Sequence, residues 1–93
     1  MAIQSFGCGD TRRLFDGQRV VRWVNIERPA LRTLAQLDWS VQLADLKVPP
    51  GNWFEALKGD RKGQHSIRIN DQWRVCFRWH GDGAHDVEIV DYH

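Results

Sequence analysis

Three residue types that could carry chemistry occur in the second half of the chain. Lys58 is able to exchange a proton, and neighbouring positive charge favours its neutral form. Arg74, expected on the open face of a strand, can hold a phosphate bidentately. Tyr92 offers a phenol and a ring on which a base stacks. Each has a structural alternative: a turn lysine, an ion pair of Arg74 with Glu88, and packing of Tyr92 at the core edge.

These residues lie in or beside two blocks of opposite charge. The segment from Lys58 to Arg78 holds six basic and two acidic residues, a local charge of +4. Residues 79–93 hold four acidic side chains and no lysine or arginine, and the whole chain carries a net charge of +1. Because local potential steers an anionic ligand, such a chain can bind a polyanion. The alternative is that the two blocks lie on adjacent strands and neutralise each other.

The first half of the chain is predicted to be helical. Ile3 and Phe6 bracket a short N-terminal strand, and Asp10 is expected to cap a short helix that Gly17 ends. Helical spacing of apolar residues predicts the main helix over residues 27–38. Ser40 is expected to cap one further turn.

The second half has an apolar period of two, which is typical of strands. A three-residue loop from Asn70 to Gln72 keeps inward residues opposite one another and pairs Ile69 with Trp73. The same register places Arg68 opposite Arg74, where like charges destabilise a sheet by several tenths of a kcal/mol. Strands are predicted over residues 54–57, 64–69, 73–79 and 86–90.

The expected fold is α+β in one domain over residues 1–93, with an N-terminal strand and two helices packed on one face of a small antiparallel sheet. Trp39 and His65 are expected in the core, whereas Trp53, beside a Pro-Pro-Gly loop, is the tryptophan for which exposure stays open.

Cysteine usage and hydropathy indicate the compartment. Cys8 and Cys76 are expected to be free thiols, and the histidines and cysteines lack the short paired spacings of zinc sites. We therefore expect no metal and no cofactor. No apolar run approaches the ~18 residues that a membrane span requires, and the first ten residues lack the pattern of a signal peptide, so a cytoplasmic protein is expected.

Four colinear runs resemble the HigB branch of the RelE/ParE toxin superfamily. They are Leu57-Lys58-Gly59-Asp60-Arg61-Lys62-Gly63, Ser66-Ile67-Arg68-Ile69-Asn70, Gln72-Trp73-Arg74-Val75 and Val90-Asp91-Tyr92-His93. The resemblance implies a RelE/ParE-like toxin of a type II toxin–antitoxin system that cuts mRNA in the ribosomal decoding site. It also implies a cognate helix-turn-helix antitoxin, HigA-like, which holds the toxin inactive in a toxin–antitoxin hetero-oligomer.

Metal-independent RNA cleavage needs a base for the 2′-hydroxyl, a cation for the charge on the phosphorane and an acid for the 5′ oxygen. With the resemblance, Lys58, Arg74 and Tyr92 are the candidate catalytic residues. The candidate RNA-binding residues are Arg61, Lys62, Arg68, Arg78, Asp91 and His93.

One departure from the family pattern concerns Glu55. Relatives in the HigB branch often carry a histidine shortly before the Leu-Lys-Gly-Asp-Arg run, where this chain has Glu55. Two alternatives to the endoribonuclease therefore stay open: a ParE-like gyrase-inhibiting toxin, and a non-catalytic antitoxin-binding module, which Glu55 favours.

Overall fold

Two α-helices and a four-stranded antiparallel sheet make up the fold, which is α+β as expected. The structure, a computed structural model, describes residues 1–81 and 83–91, so Tyr92 and His93 lie outside the described residues. The helices are α1 (Gly9–Phe15) and α2 (Glu27–Trp39). The strands are β1 (Glu55–Ala56), β2 (His65–Arg68), β3 (Trp73–His80) and β4 (Gly83–Asp91), and their order in the sheet follows the sequence.

Four 3₁₀ helices connect these elements. They are Val21–Ile26, Leu43–Lys47, Pro50–Asn52 and Gly59–Arg61. In the described residues no helix combines the length and the apolarity that a membrane span needs.

Two predicted helix caps are wrong. Helix α1 begins at Gly9 with Cys8 at its N-cap, and Asp10 lies in the first turn, where it pairs with Arg13 and with Arg22 (Nε to Oδ2, 3.1 Å). Those two arginines bind the two carboxylate oxygens, one of which a cap would have used. Ser40 instead closes the end of α2, because its hydroxyl donates to the carbonyl of Leu37 at 2.6 Å.

The predicted register of β2 and β3 is confirmed. Ile67 lies opposite Val75 and Arg68 lies opposite Arg74. The side-chain oxygen of Asn70 accepts from the backbone N–H groups of Gln72 (2.9 Å) and Trp73 (2.8 Å), which fixes the three-residue loop. An asparagine at this position therefore selects the loop length that keeps the apolar residues on one face.

The core lies between the helices and the inward residues of the sheet. Its cluster includes Leu14, Ala30, Leu34 and Leu37 from the helices and Ile67, Val75, Phe77, Val87 and Ile89 from the strands. Trp23, from a 3₁₀ helix, is fully buried and meets Trp73 edge-on at 6.4 Å between ring centroids. The predicted core position of Trp39 is wrong, because it is 80% exposed. Trp39 lies about 200° around the helix from Leu37, which faces the core.

The outer edge of β4 is covered by the start of the chain. The expected N-terminal strand is reduced to two isolated parallel bridges, Ile3 with Ala84 and Phe6 with Val87. Between them Asp86 adopts a left-handed backbone (φ 54°), which interrupts the ladder. Further along the same edge of β4, the backbone N–H of Ile89 donates to the hydroxyl of Thr11 in α1 at 3.0 Å.

His65 lies among aromatic rings at the start of β2. It stacks on Phe54 at 5.3 Å and on Phe77 at 6.1 Å, measured between ring centroids. Its Nδ1 atom is buried with no hydrogen-bond partner in the part of the chain that the structure describes. Burial therefore lowers the pKa of His65, because desolvation penalises the charged imidazolium.

The lowered pKa of His65 predicts a loss of stability in acid. The folded pKa lies below the unfolded value, so this contribution is present above about pH 6.5 and is lost as the pH falls through the folded pKa. Substitution His65→Phe keeps a ring between Phe54 and Phe77 and removes the titration. Urea unfolding between about pH 7 and pH 5 should give a shallower decline for the variant. Parallel declines in the two proteins would show that other groups cause the acid sensitivity.

Candidate functional site

The second face of the sheet carries polar side chains that alternate with the core residues. We call it the arginine face, and it comprises Glu55, Ser66, Arg68, Arg74, Cys76, Arg78 and Glu88. Ser66 and Cys76 are fully buried, and Arg74 is 8% exposed. This face is therefore partly covered rather than open to solvent.

Each of the four arginines between Lys58 and Arg78, the basic segment, forms an ion pair with a carboxylate. The pairs are Arg61–Glu88 (Nη1 to Oε1, 2.7 Å), Arg68–Asp71, Arg74–Glu55 (Nη1 to Oε1, 3.1 Å) and Arg78–Asp86 (Nε to Oδ2, 3.6 Å). Two partners, Asp86 and Glu88, come from the acidic block. Mutual neutralisation of the two blocks, one of the alternatives that the sequence left open, thus accounts for two of the four pairs.

Arg74 is buried, and its predicted position on an open surface is wrong. Its Nη1 atom donates to the hydroxyl of Ser66 at 2.7 Å and to the backbone carbonyl of Trp53 at 3.1 Å. Its carboxylate partner is Glu55, so the structural alternative that paired Arg74 with Glu88 is wrong in its partner. The reason is that Glu55, the first residue of β1, and Trp53, just before this strand, bring acceptors of their own to the guanidinium.

Trp53 links the two opposed arginines. Its carbonyl binds Arg74, and its ring lies under the guanidinium of Arg68, 5.0 Å from the ring centroid. Arg68 also pairs with Asp71. Separate anionic partners therefore offset the repulsion expected between Arg68 and Arg74. Trp53 is 61% exposed, which settles the question that the sequence left open for this tryptophan.

Cys76 lies at the centre of the arginine face, opposite Glu88 in the register of β3 and β4. Burial raises the pKa of its thiol to about 11, and the nearby charge of Arg61 opposes that rise. The side chain is therefore a thiol rather than a nucleophilic thiolate at neutral pH. Both Cys8 and Cys76 are free.

Lys58 lies where the chain leaves β1. Its backbone is extended (φ −124°, ψ 178°), and its carbonyl accepts from the N–H of Arg61 at 3.3 Å. The side chains of Lys58 and Lys62 are exposed. Among the described residues neither lysine forms an ion pair, so these are the cations of the basic segment that no internal carboxylate neutralises.

Asp91 ends β4 opposite Trp73, and its carboxylate accepts from the side chain of Gln72 at 3.1 Å. Tyr92 and His93 follow it, outside the described residues. Within the described residues no group of three or more histidine, cysteine, aspartate or glutamate side chains could hold a metal ion.

Sequence reasoning missed two partners of Arg74, Ser66 and the carbonyl of Trp53. The sequence does place Ser66 on the same face as Arg68, which is a usable signal. No sequence pattern gives the direction of the Trp53 carbonyl, since it depends on a left-handed backbone (φ 47°) at a tryptophan.

The contacts of Arg74 predict a structural role in addition to any chemical one. Substitution Arg74→Ala leaves a buried hydroxyl and a carbonyl without their donor, so the free energy of unfolding should fall by about 1–3 kcal/mol. The control is Arg78→Ala, which removes a more exposed ion pair and should cost at most about 1 kcal/mol. Urea unfolding at neutral pH measures both. Equal, small losses would mean that the contacts of Arg74 add nothing to stability.

Comparison with known proteins gives the family. The model of the RelE-like toxin HigB of type II toxin–antitoxin systems matches residues 9–93. A curated relative, Toxin HigB-1 of Vibrio cholerae serotype O1, is 47% identical over 55 residues. That match covers 59% of this chain and 58% of the relative, so it spans less than two thirds of the relative's length. The family match covers nearly the whole chain, and the chain therefore belongs to the HigB-like family of RelE-like toxins of type II toxin–antitoxin systems.

Proposed function

We propose that this HigB-like toxin is a ribosome-dependent mRNA endoribonuclease that cuts RNA in the cytoplasm without a metal. A type II toxin has an antitoxin partner, and we infer that this partner is a HigA-like protein with a helix-turn-helix domain. The observation that carries the proposal is the position of Lys58: an exposed cation with no carboxylate partner among the described residues, beside the arginine face with its three arginines, Arg68, Arg74 and Arg78.

Lys58 is assigned proton transfer at the reacting oxygens, because a positioned acid or base typically contributes about 10²–10⁴ to the rate. Arg74 is assigned the charge that develops on the phosphorane. Its present partner Glu55 has a side chain that is 45% exposed. We therefore propose that the scissile phosphate takes the place of Glu55 as the anionic partner of Arg74.

The remaining candidates would hold the RNA around the cleavage point. Cationic side chains at Arg61, Lys62, Arg68 and Arg78 suit phosphates, and positively charged contacts of this kind dominate affinity for nucleic acid. Asp91, Tyr92 and His93 are assigned to the same site, with the ring of Tyr92 as a stacking surface.

Replacement of Lys58 tests the catalytic assignment. Primer extension on mRNA with programmed ribosomes should show about 10²–10⁴-fold slower cleavage by Lys58→Ala. The matched control is Lys47→Ala, which removes an exposed lysine from the 3₁₀ helix Leu43–Lys47 and should leave the rate unchanged. Wild-type cleavage by Lys58→Ala would remove this residue from the chemistry.

Replacement of Glu55 distinguishes two roles for this residue: an ion-pair partner that occupies Arg74, and the base of the cleavage reaction. If Glu55 only occupies Arg74, Glu55→Gln should raise cleavage or RNA affinity by a few-fold, because the phosphate no longer competes with a carboxylate. A strong loss of cleavage would instead make Glu55 the base that stands in for the histidine of its relatives. Asp16→Asn, an equal change of charge at an exposed residue of another surface, controls for net charge.

The ion pair between Glu55 and Arg74 also favours a second candidate, a non-catalytic antitoxin-binding module, because the proposed phosphate ligand is already neutralised. Wild-type protein that binds its antitoxin but cuts no mRNA on programmed ribosomes would establish that candidate instead.

A further inference from the structure

We propose that the exposed ring of Trp53 is a stacking platform for one nucleobase of single-stranded RNA, next to the phosphate position on the arginine face. This inference deepens the proposed function and rests on it. Trp53 would add to the candidate site a residue that sets the affinity for RNA.

The ring is exposed and held in place at the same time. Trp53 is 61% exposed, whereas Trp23 is fully buried in the core. The guanidinium of Arg68 lies 5.0 Å from the centroid of the Trp53 ring, and Arg68 is itself held by Asp71. An aromatic ring fixed by a cation is preorganised for a ligand, because little side-chain entropy remains to be lost on binding.

The backbone under the ring is also held, in a conformation that tryptophan rarely adopts. Trp53 has φ 47° and ψ 50°, in the left-handed region that glycine and asparagine occupy most readily. Its carbonyl binds Arg74, and the preceding residue, Asn52, donates to the carbonyl of Leu46 at 3.0 Å. Glycine or asparagine would suit this turn better, so the turn does not explain why a bulky exposed ring stands here. Binding of a ligand to the ring would explain it.

The surroundings of Trp53 favour a nucleotide over an apolar partner. The flanking cations are Arg68 and Arg74, which suit the phosphates on either side of a stacked base. Every base has an aromatic face, so an exposed indole binds single-stranded RNA with little sequence restriction. Trp39 is exposed in different surroundings. It is 80% exposed, but its neighbours in a groove include the apolar side chains of Ala35, Leu46 and Pro49.

Substitutions at Trp53 test the platform without disturbing its backbone. Trp53→Asn tolerates the left-handed conformation and keeps the carbonyl that Arg74 binds, but it removes the ring. Trp53→Phe keeps an aromatic face. Trp39→Ala is the matched control, since it deletes an equally large exposed ring away from the arginine face.

Binding is measured by fluorescence anisotropy with a labelled single-stranded RNA hexanucleotide at low salt, in the absence of ribosomes. Trp53→Asn should bind about 5- to 150-fold more weakly than the wild type, Trp53→Phe should retain most of the affinity, and Trp39→Ala should be unchanged. Urea unfolding of each variant confirms that the fold is intact.

Two outcomes overturn the platform: equal RNA affinity of Trp53→Asn and wild type, or a Trp53→Asn variant that loses antitoxin affinity and keeps RNA affinity. The proposed function is tested separately, by mRNA cleavage in the ribosome assay. Wild-type protein that binds RNA through Trp53 but cuts no mRNA would overturn the endoribonuclease and leave the platform standing.

Discussion

The buried charge of Arg74 is the constraint on which the arginine face depends. A guanidinium removed from water must find acceptors or destabilise the fold by several kcal/mol. Within the described part of the chain its acceptors include the hydroxyl of Ser66 on β2, the carboxylate of Glu55 on β1 and the backbone carbonyl of Trp53. The segment before β1 supplies one of these acceptors, the carbonyl of Trp53, from a residue with a left-handed backbone.

The other arginines are less buried than Arg74, and they too have carboxylate partners. Strand β4 carries the acidic residues, so Glu88 meets Arg61 of the 3₁₀ helix before β2, and Asp86 meets Arg78 of β3. These contacts hold guanidinium groups in defined directions while reducing the net field of the face. An anionic ligand would consequently exchange with internal carboxylates, and its binding would depend on how readily those carboxylates move to solvent.

The sequence predicted the sheet better than the site. Alternation of apolar residues, together with Asn70 in the loop, was sufficient for the register of β2 and β3, because a shift by one residue would expose every inward side chain. Burial of Arg74 was not predictable from alternation, since it depends on a two-residue strand and on the course of residues 50–56. Trp39 shows the same limit: apolar character suggested burial, but its angular position on α2 points it to solvent.

The covered edge of β4 has a consequence for how partners can be recognised. The backbone of Ala84 and Val87 is bonded to the start of the chain, and that of Ile89 is bonded to Thr11. At the opposite edge β1 has only two residues. The described sheet thus offers little unpaired backbone for β-augmentation, either by a partner's strand or by a second misfolded copy. A partner that docks on the described sheet therefore meets mainly side chains, on its faces and along its covered edge.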